Sequence, residues 1–81
     1  MKYVVAICTV EGQSQFCVRQ HWDMPDETSA RLSYRTARKS VLNIKTPIYT
    51  YAVGVFDVWK QVLIGWALIH GGRVVRSWGW L

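Results

Sequence analysis

Acidic residues are scarce in this chain: five Asp and Glu among 81 positions, against ten Lys and Arg, for a formal charge of +5. A decoy that imitates the DNA backbone must present a dense field of carboxylates, and five do not make one. Cysteine is equally sparse. Cys8 and Cys17 are the only two, and with His21 and His70 they match no zinc-ligand spacing, since a metal site needs three or four convergent donors. No metal and no cofactor is expected. A glycine-rich phosphate loop is missing, because Gly71-Gly72 is two residues long and lacks a following helix pattern. No nucleophile is spaced to meet both a base and an orienting group, so the reading is a binding protein and not an enzyme. Charged residues make up 19% and hydrophobic residues 51%; intrinsic disorder, which needs low hydrophobicity and high net charge, is excluded.

Uninterrupted apolar runs of membrane length are also lacking. Residues 48–69 come near it, but Asp57, Lys60 and Gln61 fall in the middle, where each charge costs about 2.5–3.5 kcal/mol on insertion. The first ten residues carry one Lys and a short apolar run, as a signal peptide does. They lack the small-x-small cleavage site and pass directly into Glu11-Gly12-Gln13. The cytoplasm is therefore the expected compartment, with no membrane partner.

What the chain has in excess is aromatic: five Trp, four Tyr and two Phe. A single compact domain spanning 1–81 buries only about 60% of the surface its unfolded chain exposes, and large rings supply core area that so short a domain otherwise lacks. Rings also dominate interface hot spots.

Apolar and β-branched residues from Tyr3 to Val10, and alternation from Phe16 to Trp22, predict two strands. Glu11-Gly12-Gln13-Ser14 between them has the glycine that a type II′ hairpin requires. That turn predicts Cys8 opposite Cys17, Ile7 opposite Val18, Thr9 opposite Phe16, Tyr3 opposite Trp22 and His21 opposite Val4. Two reduced thiols are expected in a cytosolic protein, with a disulfide as the alternative that this register permits. Asp23 to Thr28 carries a cap candidate, an early Pro and first-turn acids, predicting a helix from Glu27 to Leu42 that Asn43 and Pro47 end. Ala30, Tyr34, Ala37 and Val41 are its buried stripe. Strands are predicted at Ile48–Phe56, Val62–Ile69 and Arg73–Trp78. The turn His70-Gly71-Gly72-Arg73 places Leu68 opposite Val75, Trp66 opposite Ser77 and Gly65 opposite Trp78, with a Trp ring over the glycine. The fold class is α+β: one antiparallel sheet in the order β-β-α-β-β-β with the helix packed on one face.

Two candidate surfaces emerge. Arg31, Arg35, Arg38 and Lys39 recur at helical spacing beside the buried stripe, and such a ridge suits an acidic protein groove, phosphates or plain solvent. On the sheet face away from the helix, some of Tyr49, Tyr51, Trp66 and Trp78 must meet solvent or a partner, flanked by Arg73 and Arg76. These ten residues are the predicted partner-binding set.

The short N-terminal strand pair, the helix carrying Ala30, Ala37 and Arg38, and the Trp66-containing hairpin closed by Gly71-Gly72 together resemble small phage-encoded anti-CRISPR proteins. The layout is nearest to those that bind the multisubunit, RNA-guided surveillance complexes of type I systems. It covers most of the chain, and the +5 charge sets it apart from the acidic, DNA-imitating members. The resemblance implies a non-catalytic phage inhibitor, active in the host cytoplasm in evasion of antiviral defence. Such a protein binds a subunit of the host CRISPR-Cas effector complex and blocks target DNA binding. A monomer is expected. Alternative readings are a small basic nucleic-acid-binding domain acting through the helix ridge, or a structural phage protein that self-assembles through its sheet edges.

Overall fold

The computed structural model describes residues 2–12, 15–45 and 48–80. Strands β1 (Tyr3–Glu11), β2 (Gln15–Met24), β3 (Thr50–Asp57), β4 (Val62–His70) and β5 (Arg73–Gly79) form a single antiparallel sheet in the order β2-β1-β3-β4-β5, and helix α1 (Glu27–Leu42) lies between β2 and β3 in the chain. The fold class and element order are those predicted. Strands β2 and β3 both run antiparallel to β1 and so run parallel to one another. Their connection must cross β1, and α1 is that crossover.

Asp26 starts the helix: its Oδ1 accepts from the Ser29 N–H at 2.8 Å. That bond and its companion from the Ser29 side chain hold the Asp26 carboxyl below its ordinary pKa. The cap's contribution is therefore present above the unfolded-state pKa and is lost as pH falls through the folded one. At the other end the Asn43 N–H donates to the carbonyls of Lys39 and Ser40, while Pro47 lies outside the described residues.

The core forms where α1 meets the sheet. Ala30, Tyr34, Ala37 and Val41 are all buried, as the helical spacing predicts, against Tyr3, Val5 and Ile7 of β1, Val53 and Val55 of β3, and Ala67 and Ile69 of β4. Each fully buried Val or Ile contributes about 1.5–3 kcal/mol relative to exposure. Buried Asp57 closes the β3–β4 turn by accepting from the N–H groups of Trp59 and Lys60, both at 3.1 Å.

Both predicted registers shift, each for an identifiable reason. Glu11 pairs with Gln15, so three residues separate the first two strands; Gly12 has the positive φ of 64° expected of it, and Gln13 and Ser14 lie outside the described residues. A bulge between Ile7 and Cys8 then adds another residue. Cys8 faces Val18 in place of Cys17, which pairs with Thr9; Val10, not Thr9, takes Phe16, while Ile7 takes Gln20, Ala6 takes His21, Val5 takes Trp22 and Tyr3 takes Met24. In the last hairpin His70 and Arg73 pair as predicted, but a bulge between Leu68 and Ile69 shifts the pairs beyond it. Trp66 meets Trp78, Leu68 meets Arg76, and Gly65 meets Gly79. Strand β3 begins at Thr50, two residues after the predicted Ile48.

The shift has a packing consequence. Trp80, in place of Trp78, lies over Gly65: a Cβ there would stand 2.8 Å from the Trp80 backbone nitrogen. The indole reaches the helix side, with its centroid 5.8 Å from that of Tyr3. Gly79 makes this course possible with a φ of 77°, and a Cβ on it would collide with the Ile64 carbonyl oxygen. Gly79→Ala is expected to lose about 2 kcal/mol or more, combining a left-handed residue with a backbone clash; urea denaturation measures it.

Candidate functional site

Helix α1 carries the first predicted surface. Arg31, Arg35, Arg38 and Lys39 occupy positions i, i+4, i+7 and i+8, a span of about 12 Å, yet the structure divides them into unlike pairs. The Arg31 Nε donates to Glu27 at 3.1 Å, and its guanidinium carbon lies 4.2 Å from the centroid of the Trp80 ring; this side chain pins the C-terminal strand to the helix. Arg38 is half-buried over Tyr34, 5.5 Å from the ring centroid, and neither its Nε nor the Tyr34 hydroxyl has a hydrogen-bond partner among the described residues. Burial pushes the Tyr34 pKa up, against the opposing charge of Arg38. Arg35 and Lys39 are exposed. Only Arg19 and Arg31 form ion pairs among the described residues, so Arg35 and Lys39 offer unengaged charge.

The second surface is the sheet face away from α1. Residues opposite one another across an antiparallel ladder share a face, which places Val4, Ala6, Cys8 and Val10 of β1 with Ala52, Gly54 and Phe56 of β3, Leu63, Trp66 and Leu68 of β4, and Arg76 and Trp78 of β5. Val4, Ala6, Cys8, Ala52 and Gly54 floor an open apolar groove of about 420 Å³, walled by Phe16, Phe56, Leu63, Trp66 and Leu68. Leu63 is 46% exposed and Trp78 57%. Charge is confined to the edge strands, Arg73 and Arg76 on β5 and Asp23 on β2.

Trp66, Trp78, Arg73 and Arg76 share the face because the bulge between Leu68 and Ile69 sets Trp78 opposite Trp66 and brings Arg73 and Arg76 to one side; the predicted register, with Trp78 opposite Gly65, separates them, and Tyr49 and Tyr51 do not join them. Tyr51 pairs with Thr9, whose side chain is buried beneath the helix, and Tyr49 meets it edge-on at 6.3 Å between centroids. Together with Ile7, Val41 and Ile44 they border a groove on the helix side. There the Arg19 Nε donates to the Thr9 Oγ1 at 3.0 Å.

The groove residues of β1 and β3 lie outside the predicted set, although a signal for them exists. A strand covered on one side alternates in polarity, whereas Tyr3-Val4-Val5-Ala6-Ile7 and Tyr51-Ala52-Val53-Gly54-Val55-Phe56 have no charged residue at any position. Strands of that kind are apolar on both faces.

Cys8 lines this groove and Cys17, opposite Thr9, belongs to the other face; both are free thiols. Burial, and secondarily the charge of Cys17, push the Cys8 pKa up. No group of three or more potential metal-binding side chains occurs among the described residues, and no helix among them is long and apolar enough to cross a membrane. No family model, curated protein or solved structure matches the chain.

Two outcomes are expected of this geometry. Alkylation of Cys8 by iodoacetamide near pH 8 should run slower than that of an unstructured thiol, because less thiolate is present, and accelerate as pH rises further; peptide mass spectrometry measures the rate. Tyr34→Phe removes a buried hydroxyl without breaking a bond, so stability should hold or rise by up to about 1 kcal/mol in urea denaturation.

Proposed function

We propose that this chain is a non-catalytic binding protein that inhibits by covering a surface on a larger assembly, docking through the exposed ridge of α1. The observation that supports this reading is the pair Arg35 and Lys39, cationic and exposed, with no acidic partner among the described residues. The resemblance to anti-CRISPR proteins names the assembly as a type I surveillance complex and the effect as blocked binding of target DNA, in the cytoplasm of a phage-infected host.

The physical case is one of area and charge. A standard interface takes about 800 Å² from each partner, roughly one-seventh of the 5484 Å² that this chain exposes. One helix with its flanks supplies it. A channel that admits DNA is itself basic and repels such a ridge, so the complement of the ridge lies in acidic side chains elsewhere on the complex or in its bound nucleic acid. Such complementarity chiefly raises the association rate and fixes orientation. Arg31 and Arg38 hold the ridge in place from beneath, through Trp80 and Tyr34.

The same unengaged charge also favours a second reading, direct binding of nucleic acid. The two readings separate in one pair of experiments. Co-purification with a type I complex is expected for the native chain, and the double variant Arg35→Glu/Lys39→Glu should lose at least about tenfold in affinity, or 1.4 kcal/mol, with an unchanged circular dichroism spectrum. Retention of the double variant at native affinity would move the interface off the ridge. Titration of a mixed-sequence duplex should show no binding even at about 50 mM salt, whereas a nucleic-acid-binding domain would bind at micromolar concentration and weaken steeply with salt.

A further inference from the structure

We propose that the open sheet face is a self-association surface and that a second copy of this chain covers it, the two sheets packing face to face as a ten-stranded sandwich. The argument starts from the rungs of the sheet. Across β1, β3 and β4 they read Val4-Phe56-Leu63, Ala6-Gly54-Trp66 and Cys8-Ala52-Leu68. Small residues lie on β1, large ones on β4, and β3 runs between.

Two identical faces pack about a twofold axis lying between them. An axis perpendicular to the strands through the middle rung would set β4 on β4 and β1 on β1, wedging Trp66 against its own copy and Leu68 against Leu63 while leaving a void where Ala6 meets Ala6. An axis along β3 exchanges β1 and β4. Trp66 of one copy then covers Ala6 of the other, Leu68 covers Cys8, and Leu63 covers Val4, with Gly54, Ala52 and Phe56 meeting their own counterparts on the axis. On the two central rungs large residues fill small ones, as packing at interior density requires, and the two Phe56 rings meet at the end of the axis. The same operation brings β5 over β2 and sets Arg73 near Phe16 and Arg76 near Val18, so no two charges of the same sign are opposed. Aligned sheets cross at about −30°, which preserves this matching on the three central strands.

The area suffices. Five strands about 4.8 Å apart and four rungs about 6.8 Å apart give each copy roughly 600 Å² of flat face, or about 1,200 Å² for the pair, the lower bound of a standard interface. Charges on the face lie only on β2 and β5, the edge strands, as the polar rim of an interface should. The dimer leaves both α1 ridges outward and does not depend on the docking role proposed for them.

Sedimentation equilibrium from low to high micromolar concentration is expected to give twice the chain mass. Gly54→Asp sets two carboxylates against one another on the axis. A Cβ at Gly54 makes only ordinary contacts, 3.5 Å from the Leu63 Cδ1 and 3.7 Å from the Gly65 oxygen, so the fold should persist. The dissociation constant should rise on the order of 100-fold, as for an unpaired charge buried in an apolar interface. Leu63→Glu, at a side chain already 46% exposed, is the second variant and should act alike, while Arg35→Glu on the opposite side should leave the mass doubled. Cys8 of the native chain should alkylate more slowly as concentration rises. A native monomer at the highest concentration, an unchanged dimer in folded Gly54→Asp or Leu63→Glu, or a Cys8 rate independent of concentration would each overturn the proposal. So would species that grow beyond a dimer and survive both face variants, which would indicate pairing through the sheet edges.

Discussion

Everything in this molecule hangs on the burial of one apolar stripe, Ala30, Tyr34, Ala37 and Val41, against the middle of the sheet. The stripe is carried by the only connection between the β1–β2 hairpin and the remaining strands. Its docking therefore closes the sheet as well as the core, because β3 joins β1 only once α1 has carried the chain across. The two alanines let the helix approach, and Tyr34 fills the space between them. The last strand is tied into the same contact through Trp80, which is held between Tyr3 and Arg31.

A 16-residue helix is about 24 Å long, and it covers one side of the sheet only. The other side retains the apolar residues that a central strand acquires when neither parity is polar. Two unlike surfaces result from this single shortage of covering mass: a charged ridge on the helix and an apolar, grooved sheet. The first suits a partner met by long-range attraction, and the second suits a match of shapes.

The scarcity of acid takes on a structural meaning in this frame. Asp26 caps the helix, Asp57 holds the β3–β4 turn, and Glu11 and Glu27 pair with Arg19 and Arg31. Four of the five carboxylates are thus engaged in holding the backbone or a neighbouring side chain. The positive charge that remains is surplus to the fold, and on α1 it gathers where the helix turns from the core to solvent.

Local chemistry was legible in the sequence: the helix bounds, its buried stripe, the element order and the turn at His70–Arg73 all arise from propensity, capping and periodicity within a few residues. The grouping of Trp66 and Trp78 with Arg73 and Arg76 on one face was not, because it depends on the bulge between Leu68 and Ile69: a one-residue slip carries a strand's side chains to the opposite face. Tertiary structure alone decided the registers, since each bulge is chosen by how both neighbouring strands pack, and no short stretch of sequence carries that information. It also decided that Cys8 and Cys17 lie on opposite faces, that Tyr51 turns toward the helix, and that Arg31 and Arg38 serve the fold while Arg35 and Lys39 remain exposed. Side chains at equal spacing on one helix look alike in sequence; what distinguishes them is the Trp80 or Tyr34 ring that the rest of the chain brings against them.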